Sequence, residues 1–384
     1  MTDKPSLIVA TLMAPQGWCG VQTHFSAISQ YATAAGWDVA IATPHGAQRW
    51  QKRPAAAVSR LLDRLHRESA ILWNRAAAAR QLRGQLKQAL DRFKGRDTVI
   101  YAQDPLSASA ALDLRQQGEK FRLVAVVHFN ISEAYENVVS GNTSEGGPLW
   151  RNLLATEKRV LPQLDAIIFV SDFMRRTVLA RLPEMADVPQ QVIFNFPPAV
   201  PREGELPPME GDLLAIGTLE PRKNQSYLLH VLAAARRLGH RYRLTLAGNG
   251  PDESQLKQLA SQLEIADQVQ FAGFVPGASR LLPTHRVLVH AAHMENMPLT
   301  LIEAFAHGKA VLAPAVGGIP EVFSDGVEGC LWPLDDPERG AEILINVLNA
   351  ADGYREKCAA AATRFSECFH PDVLGPRWLQ ALAN

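Results

Sequence analysis

The sequence predicts an α/β protein of two domains, each with a parallel sheet covered by helices on both faces. Short apolar runs alternate with segments of helical periodicity, and this alternation is typical of parallel strands joined by crossover helices. The pattern stops at a Pro-rich stretch and then starts again, which indicates a second domain of the same kind. The length of 384 residues also exceeds what one ordinary core accommodates.

Five strands are predicted on each side of the Pro-rich stretch. The first five are Leu7–Leu12, Val39–Thr43, Val99–Ala102, Leu123–His128 and Ala166–Val170, and the last five are Leu213–Ile216, Leu244–Ala247, Val269–Phe271, Val287–His290 and Ala310–Ala313. Helical spacing of apolar residues separates them, for example at Val21–Ala35 and Trp150–Leu161. Residues 196–201, with Pro207 and Pro208 behind them, form the predicted linker. Ligands of open α/β sheets bind at the carboxyl ends of strands, so we expect a cleft there.

The composition is that of a globular protein, with 47% hydrophobic and 20% charged residues. No run of 18 apolar residues is present, so no membrane-spanning helix is predicted. The N-terminus leads directly into a strand and lacks the pattern of a secretory signal. The four cysteines have no metal-ligand spacing, which favours free thiols in a reducing cytoplasm. A cytoplasmic location is therefore expected.

The formal net charge is zero, but residues 49–96 hold 13 basic and three acidic residues. Apolar residues recur in this segment at helical spacing, and Trp50 and Trp73 are of the type found at bilayer interfaces. A basic amphipathic helix of this kind predicts binding to an anionic membrane surface on the inner face of the cytoplasmic membrane. The alternative is a helical segment whose apolar side packs on its own domain. Nucleic acid is not an expected partner, because the rest of the chain is acidic and carries no nucleic-acid motif.

Two carboxylates, Glu295 and Glu303, stand eight residues apart before the Gly-rich turn at Gly317-Gly318. If a helix starts near Pro298, Glu303 lies within it and Glu295 lies in the preceding loop. A helix N-terminus also favours phosphate, because it collects unpaired N–H groups and partial positive charge. The segment therefore offers an anion site and two acceptors for sugar hydroxyls. The alternative is a solvated helix with two incidental glutamates.

Residues that suit ligand binding also follow three other predicted strands. Arg222 and Lys223 follow the first strand of the second domain and suit a diphosphate, although an exposed basic pair is the alternative. His128 ends a strand of the first domain, where a buried structural histidine competes with a ligand contact. The loop that ends at Gly20 allows close approach of a ligand to the backbone, whereas a simple tight turn explains it equally well.

These residues stand in segments that resemble a known family. The segments are Gly17–Val21, His128, VSDFMRR from Val170, VIFN ending at Asn195, GTLEPRKN from Gly217, LAGNGPD from Leu246, FAGFV from Phe271, the Glu295/Glu303 pair and GGIPEVFSDGVEG from Gly317. In this order they are similar to the retaining glycosyltransferases of family 4, and they span nearly the whole chain. The resemblance implies the GT-B architecture, in which two Rossmann-like domains face each other across a cleft. It also implies a UDP- or GDP-linked sugar donor, no other cofactor and no essential metal.

The resemblance assigns the catalytic roles residue by residue. Arg222 and Lys223 neutralise the diphosphate leaving group, Glu295 binds hydroxyls of the donor sugar, and His128 contacts the transferred sugar near its anomeric carbon. Relatives often carry an arginine where this chain has Thr218, so Arg222 must supply that guanidinium. No strong nucleophile is implied. The departing phosphate oxygen takes the proton of the acceptor in a front-face attack.

The resemblance also assigns the donor-binding residues. Glu303 holds the ribose hydroxyls, and Gly20 lets its loop approach the phosphates. Backbone amides between 296 and 300 cradle sugar and phosphate, and the residues concerned are Asn296, Met297, Leu299 and Thr300, since Pro298 has no N–H.

The sequence therefore predicts a glycosyltransferase of cell-surface polysaccharide or glycolipid synthesis, acting on a glycan or a lipid-linked acceptor. We expect domains at residues 1–200 and 201–365, and a C-terminal helix at 366–384 that packs back on the first domain. Two alternatives remain open. A nucleotide-sugar 2-epimerase of the same architecture would convert donor without acceptor, and a catalytically degenerate partner subunit would bind no nucleotide. The sequence leaves the base, the sugar, the acceptor and the oligomeric state undetermined.

Overall fold

A computed structural model describes residues 4–17, 19–46, 59, 62–63, 66–198 and 208–384. The chain divides into two compact units, of which the first comprises Met1–Asn195 and Leu374–Asn384 and the second comprises Phe196–Val373. Among the described residues, each unit holds one six-stranded sheet in which all strand pairs are parallel. The predicted fold class, two parallel α/β sheets with helices, is therefore confirmed.

The sheet of the first unit has the strand order β2-β1-β3-β4-β5-β6. Its strands are β1 (Ser6–Ala10), β2 (Asp38–Ala42), β3 (Thr98–Ala102), β4 (Arg122–Val127), β5 (Ala166–Phe169) and β6 (Gln190–Val192). After β1 the chain adds β2 on one side and then returns to place β3 on the other side of β1. The loops that follow β1 and β3 therefore diverge, and such a switch point is where open parallel sheets bind ligands.

Within the described residues, six helices lie between β1 and β6 along the chain. They are α1 (Gly20–Ala34), α2 (Arg67–Arg92), α3 (Pro105–Gln116), α4 (Glu133–Val139), α5 (Pro148–Val160) and α6 (Asp172–Arg181). Local sequence explains several of their starts. Asp104 and Ser171 precede α3 and α6, and each side chain accepts a hydrogen bond from the third backbone N–H beyond it. Pro105 occupies the first position of α3, where a missing N–H costs nothing.

Helix α2 is the described part of the predicted basic segment. Its apolar residues Leu82, Leu86 and Leu90, with Phe93 just beyond, are at most 7% exposed and belong to the core of the first unit. Several basic side chains are also paired within this unit: Arg75 with Glu133 at 2.5 Å, Arg83 with Asp113 at 3.2 Å and Lys87 with Glu119 at 2.8 Å. Packing on its own domain, the alternative to membrane binding, therefore accounts for α2. Trp50 and most of residues 49–65 lie outside the described residues.

The core role of α2 gives a prediction on stability. Leu86→Ala is expected to lower the free energy of unfolding by about 2–5 kcal/mol, because a fully buried leucine leaves a cavity that its neighbours fill only in part. Urea unfolding followed by circular dichroism measures this change. The same substitution at Leu238, which is 55% exposed, serves as the control and should have little effect. Equal stability of the two variants would contradict the packing of α2.

The sheet of the second unit has the order β12-β11-β10-β7-β8-β9. Its strands are β7 (Gly211–Ile216), β8 (Leu244–Ala247), β9 (Val269–Gly273), β10 (His285–Val289), β11 (Val311–Ala313) and β12 (Gly329–Leu331). Its helices are α7 (Gln225–Arg237), α8 (Glu253–Gln262), α9 (Leu299–Ala306), α10 (Ile319–Val322), α11 (Pro337–Asn349) and α12 (Ala351–Arg364), and a π-helical turn follows at Phe365–Phe369. The chain leaves β7 toward β8 and β9 and returns to place β10 on the other side. The switch point of this sheet therefore lies between β7 and β10.

The last helix, α13 (Pro371–Ala383), packs on the first unit from Leu374 onward. The Trp378 side chain is fully buried there, and its indole N–H donates to the carbonyl oxygen of Phe194 at 3.0 Å. The Arg122 side chain of β4 donates to the carbonyl oxygen of Leu382 at 3.1 Å. None of the helices in the described part of the chain is long and apolar enough to cross a membrane.

Candidate functional site

The loop after β7 carries the basic pair of the second unit. It leads from Gly217 into a 3₁₀ turn at Pro221–Lys223 and then into Asn224, directly before α7. Asn224 adopts a left-handed backbone conformation with φ of 52°, which asparagine tolerates better than most residues. This turn places the Arg222 and Lys223 side chains at the carboxyl end of β7.

These two cations meet Glu295 from the loop after β10. Strands β7 and β10 are parallel neighbours, so their carboxyl ends lie at the same edge of the sheet. The Lys223 ammonium donates to Glu295 Oε1, and Arg222 Nη1 lies 3.5 Å from the same oxygen. His290 Nε2 lies 3.4 Å from it as well. The predicted residues Arg222, Lys223 and Glu295 therefore form one cluster at the switch point.

The cluster keeps Glu295 ionised although its side chain is buried. Burial alone would raise its pKa, but Lys223, His290 and Arg222 together outweigh this effect and lower the pKa below its usual value. Burial has the opposite consequence for His290, whose pKa is lowered although Glu295 favours its charged form. The site thus holds a carboxylate, two cations and a neutral imidazole.

The Gly-rich turn after β11 fixes the backbone of Glu295. The Gly318 N–H donates to the carbonyl oxygen of Glu295 at 3.0 Å. Gly317 has φ of 57°, and a Cβ atom there would lie 1.8 Å from that oxygen. Only glycine fits this position, because both the conformation and the contact exclude a side chain. The turn and the carboxylate, separate motifs in the sequence, are thus one structural unit.

Helix α9 begins at Leu299, and Pro298 directly precedes it with extended backbone. The predicted donor-binding residues surround this start: Asn296 and Met297 are buried in the loop, Leu299 is the buried first residue of the helix, and Thr300 is half-buried. Glu303 lies in α9, as expected. Burial raises its pKa to about 7, and among the described residues its carboxylate has no hydrogen-bond or ion-pair partner.

The first unit contributes His128 at the carboxyl end of β4. Its Nε2 lies 3.1 Å from Gln103 Oε1, and its ring packs edge-on against the ring of His24 at 4.8 Å between centroids. Burial lowers the pKa of His128 to about 4, so the ring is neutral near pH 7. His24 is fully buried, and its Nε2 lies 2.6 Å from the Tyr101 hydroxyl.

The loop between β1 and α1 is held by Gln22. Its side-chain amide donates to the carbonyl oxygens of Ala14 and Gln16, both at 3.0 Å, and its Oε1 accepts from the N–H of Cys19 at 3.3 Å. Gly20 is the first residue of α1 and not a loop residue, and a Cβ atom there would meet nothing within 4 Å. The described part of the chain therefore leaves open space beside this helix start.

Sequence reasoning missed four residues that support these sites. Gln103 and Tyr101 stand at the end of β3, beside the switch point, so the rule that located His128 also applies to them. His24 is a buried residue of α1, and a single histidine in a helix gives no signal of its own. Trp378 gave no signal, because nothing in the sequence indicates which residues the last helix covers. Within the described residues, no group of three or more His, Cys, Asp or Glu side chains has the arrangement of a metal site.

Two family models match the two halves of the chain. Residues 18–196 match the model described as Glycosyltransferase Family 4, and residues 199–365 match the model described as Glycosyl transferases group 1. The matches together include most of both units and every residue of the second-unit cluster.

Individual relatives align over part of their length. D-inositol 3-phosphate glycosyltransferase of Frankia alni is 37% identical over 166 residues, which is 40% of this chain and 40% of that protein. Phosphatidyl-myo-inositol mannosyltransferase of Mycolicibacterium smegmatis is 33% identical over 191 residues, 47% of either chain. The chain thus spans less than half the length of these relatives.

Solved structures match the whole chain. Sucrose-phosphate synthase from Thermosynechococcus elongatus has a TM-score of 0.71 at 17% identity, over 98% of both chains. Anabaena HepE in complex with UDP and glucose has a TM-score of 0.68 at 17% identity, over 99% of both chains. At such identities the likeness establishes the fold. The family models and this fold together identify the chain as a member of the family 4 glycosyltransferases (glycosyl transferases group 1) with the two-domain GT-B architecture.

Proposed function

We propose that the protein is a retaining glycosyltransferase that moves a sugar from a nucleoside-diphosphate sugar to an acceptor. The observation that carries this proposal is the cluster of Arg222, Lys223 and Glu295 at the switch point between β7 and β10. Two cations suit a diphosphate, and an adjacent ionised carboxylate suits the hydroxyls of the sugar attached to it.

The cations act on the leaving group. As the bond between sugar and diphosphate breaks, negative charge develops on the departing phosphate, and fixed cations stabilise it without reorganisation. Arg222 can bind two phosphate oxygens through its planar guanidinium, whereas Lys223 acts as a compact charge. The acceptor oxygen bonds to the anomeric carbon on the same face, and the departing phosphate oxygen accepts the proton of the acceptor hydroxyl. This route needs no protein nucleophile, and the side chains supply the charge, so the proposal includes no metal and no other cofactor.

The remaining residues bind the donor. Glu303 accepts hydrogen bonds from the ribose hydroxyls, and its carboxylate, which has no partner among the described residues, suits this role. Backbone amides near the start of α9 bind sugar and phosphate. The backbone at the start of α1, near Gly20, approaches the phosphates in the same way. His128 contacts the transferred sugar.

The names of relatives support the donor and acceptor classes. Anabaena HepE was solved with UDP and glucose, and S. aureus TarM with alpha-GlcNAc-glycerol and UDP. The Mycolicibacterium relative is named a phosphatidyl-myo-inositol mannosyltransferase, and phosphatidyl-myo-inositol is a lipid. We therefore propose a UDP- or GDP-linked donor and a glycan or lipid-linked acceptor, in the cytoplasmic synthesis of cell-surface polysaccharide or glycolipid.

Calorimetric titration with UDP, GDP, ADP and CMP tests the donor site. We expect one nucleotide to bind selectively, and Glu303→Ala to weaken that binding about 10–100-fold, because the ribose loses a charged acceptor. The pKa of Glu303 is raised to about 7, so the carboxylate is protonated at acid pH and ionised at alkaline pH. Nucleotide affinity of the wild type should therefore rise with pH through neutrality, and that of Glu303→Ala should not.

Glu342→Ala is the matched control, since Glu342 is exposed on α11 and pairs only with the neighbouring Arg339 among the described residues. It should bind nucleotide like the wild type. If no nucleotide bound, the proposed donor site would be wrong and the degenerate-subunit alternative would be favoured. Conversion of the donor sugar without any acceptor would instead identify an epimerase.

A further inference from the structure

His290 directly follows β10, and contacts with the next two strands fix its backbone. Its N–H donates to the carbonyl oxygen of Leu312 in β11 at 2.8 Å. Its own carbonyl oxygen accepts from the indole N–H of Trp332, just beyond β12, at 2.9 Å. Only 6% of the His290 side chain is exposed. Because the backbone is held on both sides, the imidazole has a fixed origin next to Glu295.

Three charged groups act on the His290 ring. Glu295 lies in the loop after β10, and its Oε1 is 3.4 Å from His290 Nε2, whereas Lys223 and Arg222 reach the same oxygen from the loop after β7. Burial lowers the pKa of His290, Glu295 raises it, and the two cations lower it again. The contacts with β11 and with the residue beyond β12 carry no charge. The ring is therefore neutral near pH 7 while both cations stand beside it.

A diphosphate bound to Arg222 and Lys223 changes this balance. Arg222 also pairs with Glu220 at 2.9 Å, so the two cations already face two carboxylates, Glu220 and Glu295. The phosphate oxygens neutralise the cations, which then no longer repel a proton on His290 or compensate the charge of Glu295. The ligand also brings further negative charge next to a buried carboxylate. Each of these changes favours a positive charge on the imidazole.

Of the two neighbouring groups that can take up a proton, His290 is the better placed. The pKa of Glu295 is lowered, whereas an ordinary histidine titrates close to neutrality. His290 Nε2 is buried and makes no hydrogen bond within the described residues, and Glu295 Oε1 at 3.4 Å is an acceptor for a hydrogen placed on it. A proton on His290 leaves Glu295 ionised, and an ionised carboxylate is the form that accepts from sugar hydroxyls.

We propose that His290 is a positioning residue that takes up a proton when a diphosphate occupies Arg222 and Lys223, and that the charged ring then holds the Glu295 carboxylate ionised and in place. This inference rests on the proposed function, because it requires a diphosphate at those cations. A group that gains a proton on binding strengthens binding at acid pH, and this gain is lost as the pH rises. The protein therefore holds a diphosphate more firmly at acid pH than it would without His290.

Nuclear magnetic resonance of protein labelled with ¹⁵N in histidine measures the charge on the ring. At about pH 6.5, His290, assigned by the loss of its signal in His290→Asn, should be neutral in the free protein. It should become charged on saturation with UDP or GDP, whichever calorimetry selects. In Glu295→Gln the ring should stay neutral in both states, because the carboxylate that stabilises the proton is gone.

The same spectrum contains a control histidine. His285 begins β10 at the opposite end of the strand, is buried, and has its Nε2 2.8 Å from the Thr245 hydroxyl. Burial lowers the pKa of His285, so its ring should be neutral with and without nucleotide. A neutral His290 ring in the saturated wild type would overturn the inference, and a charged one in saturated Glu295→Gln would overturn the role of Glu295 in it.

Calorimetry at several pH values measures the consequence for binding. The ratio of the diphosphate affinity of the wild type to that of His290→Asn should fall about tenfold as the pH rises from about 5.5 to about 7.5, since only the wild type gains the proton. Glu303 is present in both proteins, so its own pH dependence cancels in the ratio. His290→Gln, with a longer amide side chain, should give the same result. His230→Asn, at an exposed position of α7, should bind like the wild type at every pH.

The shape of this ratio separates a proton from a structural effect. A variant that merely disturbs the site weakens binding by one factor at every pH, so a ratio that does not change with pH would overturn the inference. Binding of UDP or GDP with a neutral His290 would overturn the inference alone and leave the proposed function standing. Failure of both nucleotides to bind would contradict the proposed function, and the inference would fail with it.

Discussion

Lys223→Ala is expected to lower kcat/KM about 10²–10³-fold, which is the usual cost of removing a group that stabilises charge in the transition state. The ammonium is mostly buried, with 17% of its side chain exposed, and it donates directly to Glu295. In the proposed reaction the diphosphate gains negative charge as it departs, and Lys223 is the cation that faces it beside Arg222. Steady-state kinetics with the donor identified by calorimetry measures this loss.

The variant should also acquire a pH dependence in addition to the one that Glu303 gives the wild type. Burial raises the pKa of Glu295, and Lys223 is the largest of the contributions that lower it. Without Lys223 the pKa of Glu295 rises, so the residual activity should increase with pH as the carboxylate ionises. Lys257→Ala is the control, because Lys257 is exposed and pairs with Glu253 on the surface of α8. Activity of Lys223→Ala within about threefold of wild type would contradict its assigned role.

Most strands of both sheets could be predicted because they are apolar runs, and most of these runs are buried. The ten predicted strands match β1–β5 and β7–β11 within two residues at either end. Strands β6 (Gln190–Val192) and β12 (Gly329–Leu331) are edge strands of three residues each; β6 is mostly polar, and β12 begins with a glycine, which shortens its apolar part to two residues. An edge strand pairs with a neighbour on one side only and needs no continuous apolar sequence. Its pairing is therefore set by the rest of the sheet.

Periodicity predicted an apolar face on α2 but could not say what covers it. A stripe of leucines is the same in sequence whether it meets lipid or the domain core. The burial of Leu82, Leu86 and Leu90 is decided by strands that lie far from them along the chain. The position of the helix within the fold, and not its composition, therefore decides between membrane binding and packing on its own domain.

The sequence indicates candidate site residues one by one, but it does not show which of them are in contact. Lys223 and Glu295 are 72 residues apart, and their ion pair depends on β10 lying next to β7, an order that strand patterns do not encode. The raised pKa of Glu303 likewise depends on the burial of α9. The residue types that follow each strand can be read from a sequence, whereas the pairing of their side chains follows from the topology of the sheet.

Because Glu295 pairs with Lys223, we expect a substitution of Glu295 to strengthen diphosphate binding and to slow turnover. Glu295→Gln is expected to tighten nucleoside-diphosphate binding about tenfold and to lower kcat about 10–100-fold. The Glu295 carboxylate neutralises Lys223 and lies 3.5 Å from Arg222 and 3.4 Å from His290. A diphosphate must compete with this carboxylate for the cations. Glutamine has the same shape without the charge, so the cations become free for phosphate.

Turnover falls for a separate reason, because the sugar loses a charged acceptor for its hydroxyls. Calorimetry with the diphosphate and kinetics with the complete donor measure the two effects on one variant. Glu328→Gln is the control, since Glu328 is also a buried glutamate of the second unit but accepts a hydrogen bond from the Ser324 backbone. It should change neither quantity. A general loss of structure weakens binding and turnover together, so tighter binding with slower turnover is specific to a carboxylate that holds the phosphate-binding cations until the donor arrives. Weaker nucleotide binding by Glu295→Gln would contradict this competition.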